Sequence, residues 1–269
     1  MRPLAEQTIL ITGATDGLGR YVAERLAAGG ARVIVHGRDA GRAEKVRAAG
    51  GNVDVLLADL ADLRDVDRLA DAVIGRYGRL DALVNNAGVG SGPPGRQESA
   101  DGYELRFAVN YLAGYRLTQR LLPLLTASAP ARIVNVASAG QYPIDFADPM
   151  LERDYDGFRA YAQSKLAQIM FTIDLADALA GRDVTANALH PATFMDTTMV
   201  RAGGREPIST VEEGGAATLR LITDPALDGV TGRYYNGTTE TAPDPQATDP
   251  DARARLRRLS DDLLTRALR

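Results

Sequence analysis

The sequence predicts an α/β protein: a doubly wound, mostly parallel seven-stranded sheet flanked by helices. Three observations lead there. Short apolar runs of strand length alternate with longer helical segments, the pattern of βαβ units. The first apolar run opens straight into a glycine-rich loop and a helix. Gly29-Gly30 and Gly50-Gly51 then stop two successive helical segments and return the chain to the sheet.

The elements follow in order. Residues 8–12 read as the first strand and 19–28 as the first helix. Residues 32–36 form the second strand, 40–49 a helix, 53–58 the third strand and 63–77 the third helix. Residues 80–85 are the fourth strand, and a long helical stretch covers 101–125. Residues 132–137 are the fifth strand, 157–180 the next helix and 184–190 the sixth strand. Ser209-Thr210-Val211-Glu212 has the spacing of a capping box that opens a further helix. Residues 232–236 are expected as the last strand. The stretch 238–250, rich in Thr, Pro and Asp, reads as a loop. Asp249-Pro250 then resembles an N-cap followed by proline at the first helical position. Leu256, Leu259, Leu263 and Leu264 would share one face of that terminal helix.

The chain has 269 residues, of which 45% are hydrophobic and 25% charged. That is the balance of a globular protein long enough to bury a sizeable core, expected as one domain over residues 1–269. Net charge is −4, with Arg and Asp interspersed, so no nucleic-acid partner is expected. There is no cysteine, hence no disulfide, thiol nucleophile or thiolate metal site. His36 and His190 are the only imidazoles, which argues against a metal centre. The N-terminus carries no apolar signal core. No uncharged apolar run reaches about 18 residues, so no membrane partner is expected. A cytoplasmic location follows.

Four strand ends carry residues with chemistry. The loop Thr12-Gly13-Ala14-Thr15-Asp16-Gly17-Leu18-Gly19 has GxxxGxG spacing between a strand and a helix. Its glycines permit a tight turn and a close approach to a dinucleotide pyrophosphate, with the helix N-terminus facing the phosphates. After the second strand, Arg38 suits a ribose 2′-phosphate and tips the cofactor toward NADP(H), with NAD(H) left open. Arg38 also reads as an exposed residue at a helix start, and Asp39 as that helix's N-cap. Asp59 and Leu60, after the third strand, are candidates to line the adenine, although Asp59 is equally placed to cap the next helix. Asn85-Asn86-Ala87-Gly88 closes the fourth strand, where small residues leave room for a ligand. Asn110 falls inside a helical stretch, a poor place for Asn by propensity. It reads either as an exposed helix residue or as an organiser of a water chain.

Ser138 ends the fifth strand, where a hydroxyl can bond a substrate carbonyl oxygen, although a serine there reads equally as a cap. Tyr161 and Lys165 stand one helical turn apart and share a face. An ammonium beside a phenol stabilises the phenolate, which makes a general acid/base from a group whose free pKa is about 10.

These motifs, in this order, resemble the short-chain dehydrogenase/reductase superfamily over nearly the whole chain. The matching elements are residues 12–19, residues 85–88, Asn110, Ser138, Tyr161 with Lys165, and His190-Pro191. The resemblance implies a doubly wound Rossmann fold that passes a hydride between NADP(H) and a carbonyl or alcohol substrate. It implies that Tyr161 is the general acid/base, that Lys165 lowers its pKa and bonds the nicotinamide ribose, and that Ser138 steadies the reacting oxygen. Asn110 would hold a proton-relay water. Gly13, Thr15, Asp16, Gly17, Leu18 and Gly19 would contact the pyrophosphate side. Asn86, Ala87 and Gly88 would lie near the adenosine ribose, and Pro191 and Thr193 near the carboxamide. A homodimer or homotetramer through the Tyr161 helix is also implied.

Twenty-two residues separate Ser138 from Tyr161. With residues 155–167, Gly232-Arg233-Tyr234-Tyr235 and the terminal helix, this resembles the retinol-dehydrogenase-like branch, whose members handle bulky apolar alcohols and carbonyls. Residues 194–207 fall where that family has its substrate lid, with Phe194, Met195, Met199 and Val200 as candidate covers or as ordinary core. Gln141, Tyr142, Ile144 and Phe146 are candidates for the opposite wall. The chain departs from the family at Ala192, where glycine is usual, and an N-terminal membrane anchor like that of several relatives is not expected.

Overall fold

The computed structural model describes residues 1–48, 50–92 and 95–269. The expected end of the second helix at Ala49 lies outside them.

Seven strands pair in parallel: β1 (Thr8–Ile11), β2 (Arg32–Gly37), β3 (Val53–Leu57), β4 (Ala82–Asn85), β5 (Ala131–Val136), β6 (Val184–His190) and β7 (Tyr234–Asn236). The order is β3-β2-β1-β4-β5-β6-β7, and an eighth strand, β8 (Thr239–Glu240), extends it antiparallel to β7. The count therefore exceeds the expected seven by one. Two residues after a two-residue turn are too short to leave any periodic signal, which is why this stretch reads as a loop in the sequence.

Helices cover both faces, so the central strands are buried on both sides along their whole length. On one face, α1 (Gly17–Ala28) and α7 (Val211–Thr223) pack around Ile9, Ile11, Val33, Val35 and Val84. On the other, α3 (Leu63–Arg76), α4 (Ala113–Ala127) and α5 (Gly157–Ala178) pack around Leu10, Ile34, Leu83 and Ile133. Helix α2 (Ala40–Ala48) flanks β2 and β3. Among the described residues no helix is long and apolar enough to cross a membrane.

Three local details differ from the sequence reading. The stretch leading into α4 is not uniformly α-helical, because Phe107–Leu112 form a π-helical segment containing Asn110. The capping box of α7 sits one residue later than expected. Thr210 caps Glu213 and Glu213 caps Thr210 in return, because Ser209 is already committed to the Thr193 carbonyl. The segment after β8 is partly helical, with α8 (Pro245–Thr248) preceding α9 (Pro250–Ala267); a short helix α6 (Thr198–Ala202) lies earlier, after β6.

Asp249 caps α9 as its sequence suggests, and Leu256, Leu263 and Leu264 are buried with Leu259 packed beside them. Helix α9 lies against α5 and the start of α4. Tyr111 shares a hydrogen bond with Ser260 at 2.7 Å, Tyr115 donates to Asp261 at 2.8 Å, and Arg257 pairs with Asp174 at 2.7 Å. The chain thus covers part of its own Tyr161 helix.

Candidate active site

The strand order reverses between β1 and β4, and the carboxyl ends of β1, β4, β5 and β6 border one crevice, where open α/β sheets take ligands. Gly13 has φ +63°, and a Cβ there would stand 2.7 Å from the Ala87 Cα. A Cβ on Gly19 would stand 2.4 Å from Asn86 Nδ2 and 2.5 Å from the Gly13 carbonyl oxygen. The first turn of α1 is therefore drawn against the strand ends as only glycine allows. Asn86 Nδ2 donates to the Thr12 and Gly13 carbonyls at 2.8 and 3.1 Å, and Thr12 Oγ1 accepts from the Asn86 and Ala87 amides at 3.0 Å each. This backbone cradle fits a dinucleotide pyrophosphate, which needs close approach and N–H donors.

Thr15 packs on Gly37, and Asp16 caps the amide of Gly17 at 2.8 Å. Leu18 is buried in the α1 core. The Arg38 guanidinium is exposed and has no hydrogen-bond or ion-pair partner among the described residues. Asp39 accepts from the Arg42 amide at 2.7 Å, so it acts as the helix cap. Asp59 accepts from the Ala61 amide at 3.0 Å, whereas the cap of α3 is Asp62. Leu60 is buried in the core beside α3.

The structure brings Ser138, Tyr161, Lys165, Gly88 and Asn110 together. Ser138 is buried, its Oγ accepts from the Gly140 amide at 3.0 Å, and it lies within hydrogen-bonding reach of Tyr161. Lys165 is buried, with Nζ 5.8 Å from the Tyr161 ring centre. A Cβ on Gly88 would meet Asn110 Oδ1 at 3.3 Å and Lys165 Nζ at 3.5 Å. Burial pushes the Tyr161 phenol up, and the Ser138 hydrogen bond pulls it back. Burial also draws the Lys165 ammonium down to about 7.

The Asn110 side chain is fully used. Its Oδ1 accepts from the Val89 amide at 2.7 Å, and its Nδ2 donates to the Val89 carbonyl at 3.1 Å and to Ser164 at 2.9 Å. It fastens the loop after β4 to α5, and the π-helical segment around it is a form found often at functional sites.

Pro191 is buried and Thr193 exposed, with Thr193 Oγ1 2.9 Å from His190 Nε2. Beyond it, Met195 packs on the α1–α7 core while Phe194 and Met199 remain exposed. Met199 approaches Gly90, and the Thr197 methyl approaches Gly17, so residues 195–199 span from the phosphate loop to the loop after β4. Across the crevice, Phe158 and Tyr142 are exposed, and Phe158 stands over Gly140 beside Ser138. Ile144 is instead buried in the core, and Phe146 packs against that core under Arg255.

Several neighbours of this site escaped the sequence reading. Thr197 and Phe158 lie in stretches the sequence reading used, 194–207 and 155–167, without being singled out there. Gln168 accepts from Lys165 at 2.9 Å, and its position one turn beyond Lys165 was the available signal. His36, considered only as a metal ligand, bonds the Gly13 amide at 3.2 Å.

Comparison with known proteins shows the family. A family model described as short chain dehydrogenase matches residues 7–207. Human retinol dehydrogenase 14 is 37% identical over 297 aligned residues, spanning 95% of this chain and 85% of that protein. The crystal structure of an uncharacterised protein from Mycobacterium paratuberculosis superposes with a TM-score of 0.82 at 31% identity, covering 98% of this chain and 96% of that one. A short chain dehydrogenase from Shigella flexneri complexed with NADP superposes with a TM-score of 0.70 at 26% identity, covering 86% and 97%.

Proposed function

The chain belongs to the short-chain dehydrogenase family, and from that premise we propose that it is an NADP(H)-dependent oxidoreductase of bulky, apolar carbonyls or alcohols, with Tyr161 as its general acid/base. The observation that carries this reading is the meeting of Ser138 and Tyr161 past the carboxyl end of β5, with Lys165 between the Tyr161 ring and Gly88.

A nicotinamide held there would supply or accept the hydride. In the reduction direction, Tyr161 would give its phenolic proton to the substrate oxygen, and Ser138 would hold that oxygen by a hydrogen bond. Lys165 supports the phenolate that results, because an ammonium one turn away favours negative charge on the ring oxygen. Asn110 keeps the loop after β4 seated beside them. Residues 13–19 and 86–88 would hold the dinucleotide, with Pro191 and Thr193 at its nicotinamide end.

Arg38, exposed and without a partner, supports NADP(H) over NAD(H). The exposed Tyr142, Phe158, Phe194 and Met199 around the crevice support an apolar substrate, with residues 194–207 as its lid. Residues 1–269 are read as one dinucleotide-binding domain. A homodimer or homotetramer would assemble away from the part of α5 that α9 covers.

The test is consumption of NADPH, followed by absorbance, against a panel of aldehydes and ketones of increasing size. Turnover that disappears in Tyr161→Phe while NADPH still binds supports the reading. NADPH binding without turnover of any carbonyl or alcohol points instead to a non-catalytic dinucleotide sensor.

A further inference from the structure

Two of the three protons on the Lys165 ammonium are taken by the chain itself. Nζ donates to the Val136 carbonyl at 2.8 Å and to Gln168 Oε1 at 2.9 Å. We propose that Gln168 is a positioning residue that keeps Lys165 charged at neutral pH and turns its remaining proton toward the crevice beside Gly88. The inference rests on the reading of Lys165 as the electrostatic partner of Tyr161.

Lys165 is 4% exposed and Gln168 3%. A buried ammonium stays charged only where acceptors replace the water it has lost. Val136 offers a backbone carbonyl, present whatever the side chain. Gln168 offers the one side-chain acceptor within hydrogen-bond distance of Nζ among the described residues. An ammonium has no lone pair to give, so the amide must present its oxygen. The i,i+3 spacing on α5 places that oxygen on the same helix face as Lys165.

The helix behind this contact is fixed by a buried polar chain. Thr172 Oγ1 donates to the Gln168 carbonyl at 2.7 Å and accepts from Asn135 Nδ2 at 2.8 Å. Asn85 Nδ2 donates to Asn135 Oδ1 at 2.8 Å and to Thr118 at 3.0 Å. The chain thus ties α5 at Gln168 to β5, β4 and α4. Nζ is also 3.5 Å from where a Gly88 Cβ would stand, which leaves that side open for its third proton.

The titratable groups around the ammonium are Tyr161 from its own helix, His190 from β6 and, beyond Tyr161, Tyr234 from β7. Burial alone moves the Lys165 pKa, and no carboxylate contributes. With no carboxylate beside it, Nζ relies on the Val136 carbonyl and the Gln168 amide oxygen to replace the water it has lost.

The test uses a property of this chain: Lys45 and Lys165 are its only lysines. In protein labelled with 13C-lysine and carrying Lys45→Arg, the surviving side-chain signal reports Lys165, and its shift against pH gives the ionisation midpoint. Gln168→Met removes the acceptor at similar length, and the midpoint is expected to fall by about one pH unit, a tenfold change. Gln168→Glu supplies a charged acceptor, and the midpoint is expected to rise by about one pH unit or more. A purely structural role for Gln168 would lower the melting temperature of both variants without moving the midpoint in opposite directions. Unmoved midpoints overturn the proposal. If Gln168→Met does not fold, Gln168→Glu decides alone, with an upward shift supporting the proposal and an unmoved midpoint overturning it. The titration needs no substrate, so failure to turn over a carbonyl would sink the proposed function and leave this result separately readable.

Discussion

The Gly13 amide donates a hydrogen bond to Nδ1 of His36 at 3.2 Å, while Nε2 of the same ring faces the Ala58 carbonyl oxygen at 3.1 Å. A carbonyl only accepts, so Nε2 carries the proton and Nδ1 is the acceptor. The buried ring is thereby fixed as the neutral tautomer. It joins the phosphate loop to the end of β3, and Ala14 adds a bond from its amide to the His36 carbonyl at 2.9 Å.

An acid-sensitive stability follows. Burial lowers the His36 pKa from 6.5 to about 4. Above pH 6.5 the ring is neutral folded or unfolded and the pKa difference costs nothing. Between 6.5 and 4 the unfolded chain binds a proton that the folded one refuses, so stability falls as pH falls. The full loss is about 3 kcal/mol. Urea midpoints measured from pH 7.5 to 4 should fall more steeply for the wild type than for His36→Asn, whose amide oxygen can still accept from Gly13. Parallel curves would remove His36 as the cause.

Gly13→Ala should weaken both fold and cofactor cradle. The residue is left-handed, which costs a non-glycine about 1–2 kcal/mol, and the new Cβ would press on the Ala87 backbone. We expect a lower melting temperature and at least a tenfold loss of NADPH affinity by fluorescence titration. Unchanged affinity would show that the loop tolerates displacement from Ala87.

Much of this was legible in the sequence because it is written in short-range pattern. Short strand-length runs between helical segments marked the parallel strands, and Asp249-Pro250 marked the start of α9 where it is found. The Tyr161–Lys165 spacing needed only helix geometry. Less legible were features that depend on partners far along the chain. The π-helical segment at Asn110 goes with that side chain's hold on Val89, twenty-one residues away. The capping box slipped to Thr210 because Ser209 reaches back to Thr193. Periodicity carries no record of such contacts.

The pair Arg106–Glu104 was equally invisible, and it predicts a large effect. Both side chains are almost fully buried. Arg106 donates to the Gly90 carbonyl at 3.1 Å, the Ser91 carbonyl at 2.5 Å and the Tyr155 hydroxyl at 2.6 Å. It thus holds the loop after β4 against the segment that leads into α5. Arg106→Met leaves Glu104 buried without its charge partner, and a loss of about 3–5 kcal/mol is expected in chemical denaturation. The double variant Glu104→Gln, Arg106→Met removes both charges and should recover part of that loss. A double variant no more stable than the single one would show that the backbone bonds of Arg106, and not the buried charge, dominate.

Arg38 should decide between the two nicotinamide cofactors. Arg38 is exposed directly after β2, next to Gly37, on which Thr15 packs, and no carboxylate competes for it among the described residues. Asp39, the adjacent acid, is occupied with the Arg42 amide and is poorly placed to accept from a ribose hydroxyl. Removing an unpartnered surface charge leaves the fold intact, so Arg38→Ser should melt at the wild-type temperature. A charge-assisted bond to a 2′-phosphate is worth about 1.5–3 kcal/mol, so the preference for NADPH over NADH in kcat/KM should fall by roughly tenfold to a hundredfold. The change should appear almost wholly in the NADPH term, because NADH has no phosphate to lose. An unaltered ratio would move the origin of cofactor preference to another residue, with Arg42, one turn further along and 3.5 Å from Asp16, the next to substitute.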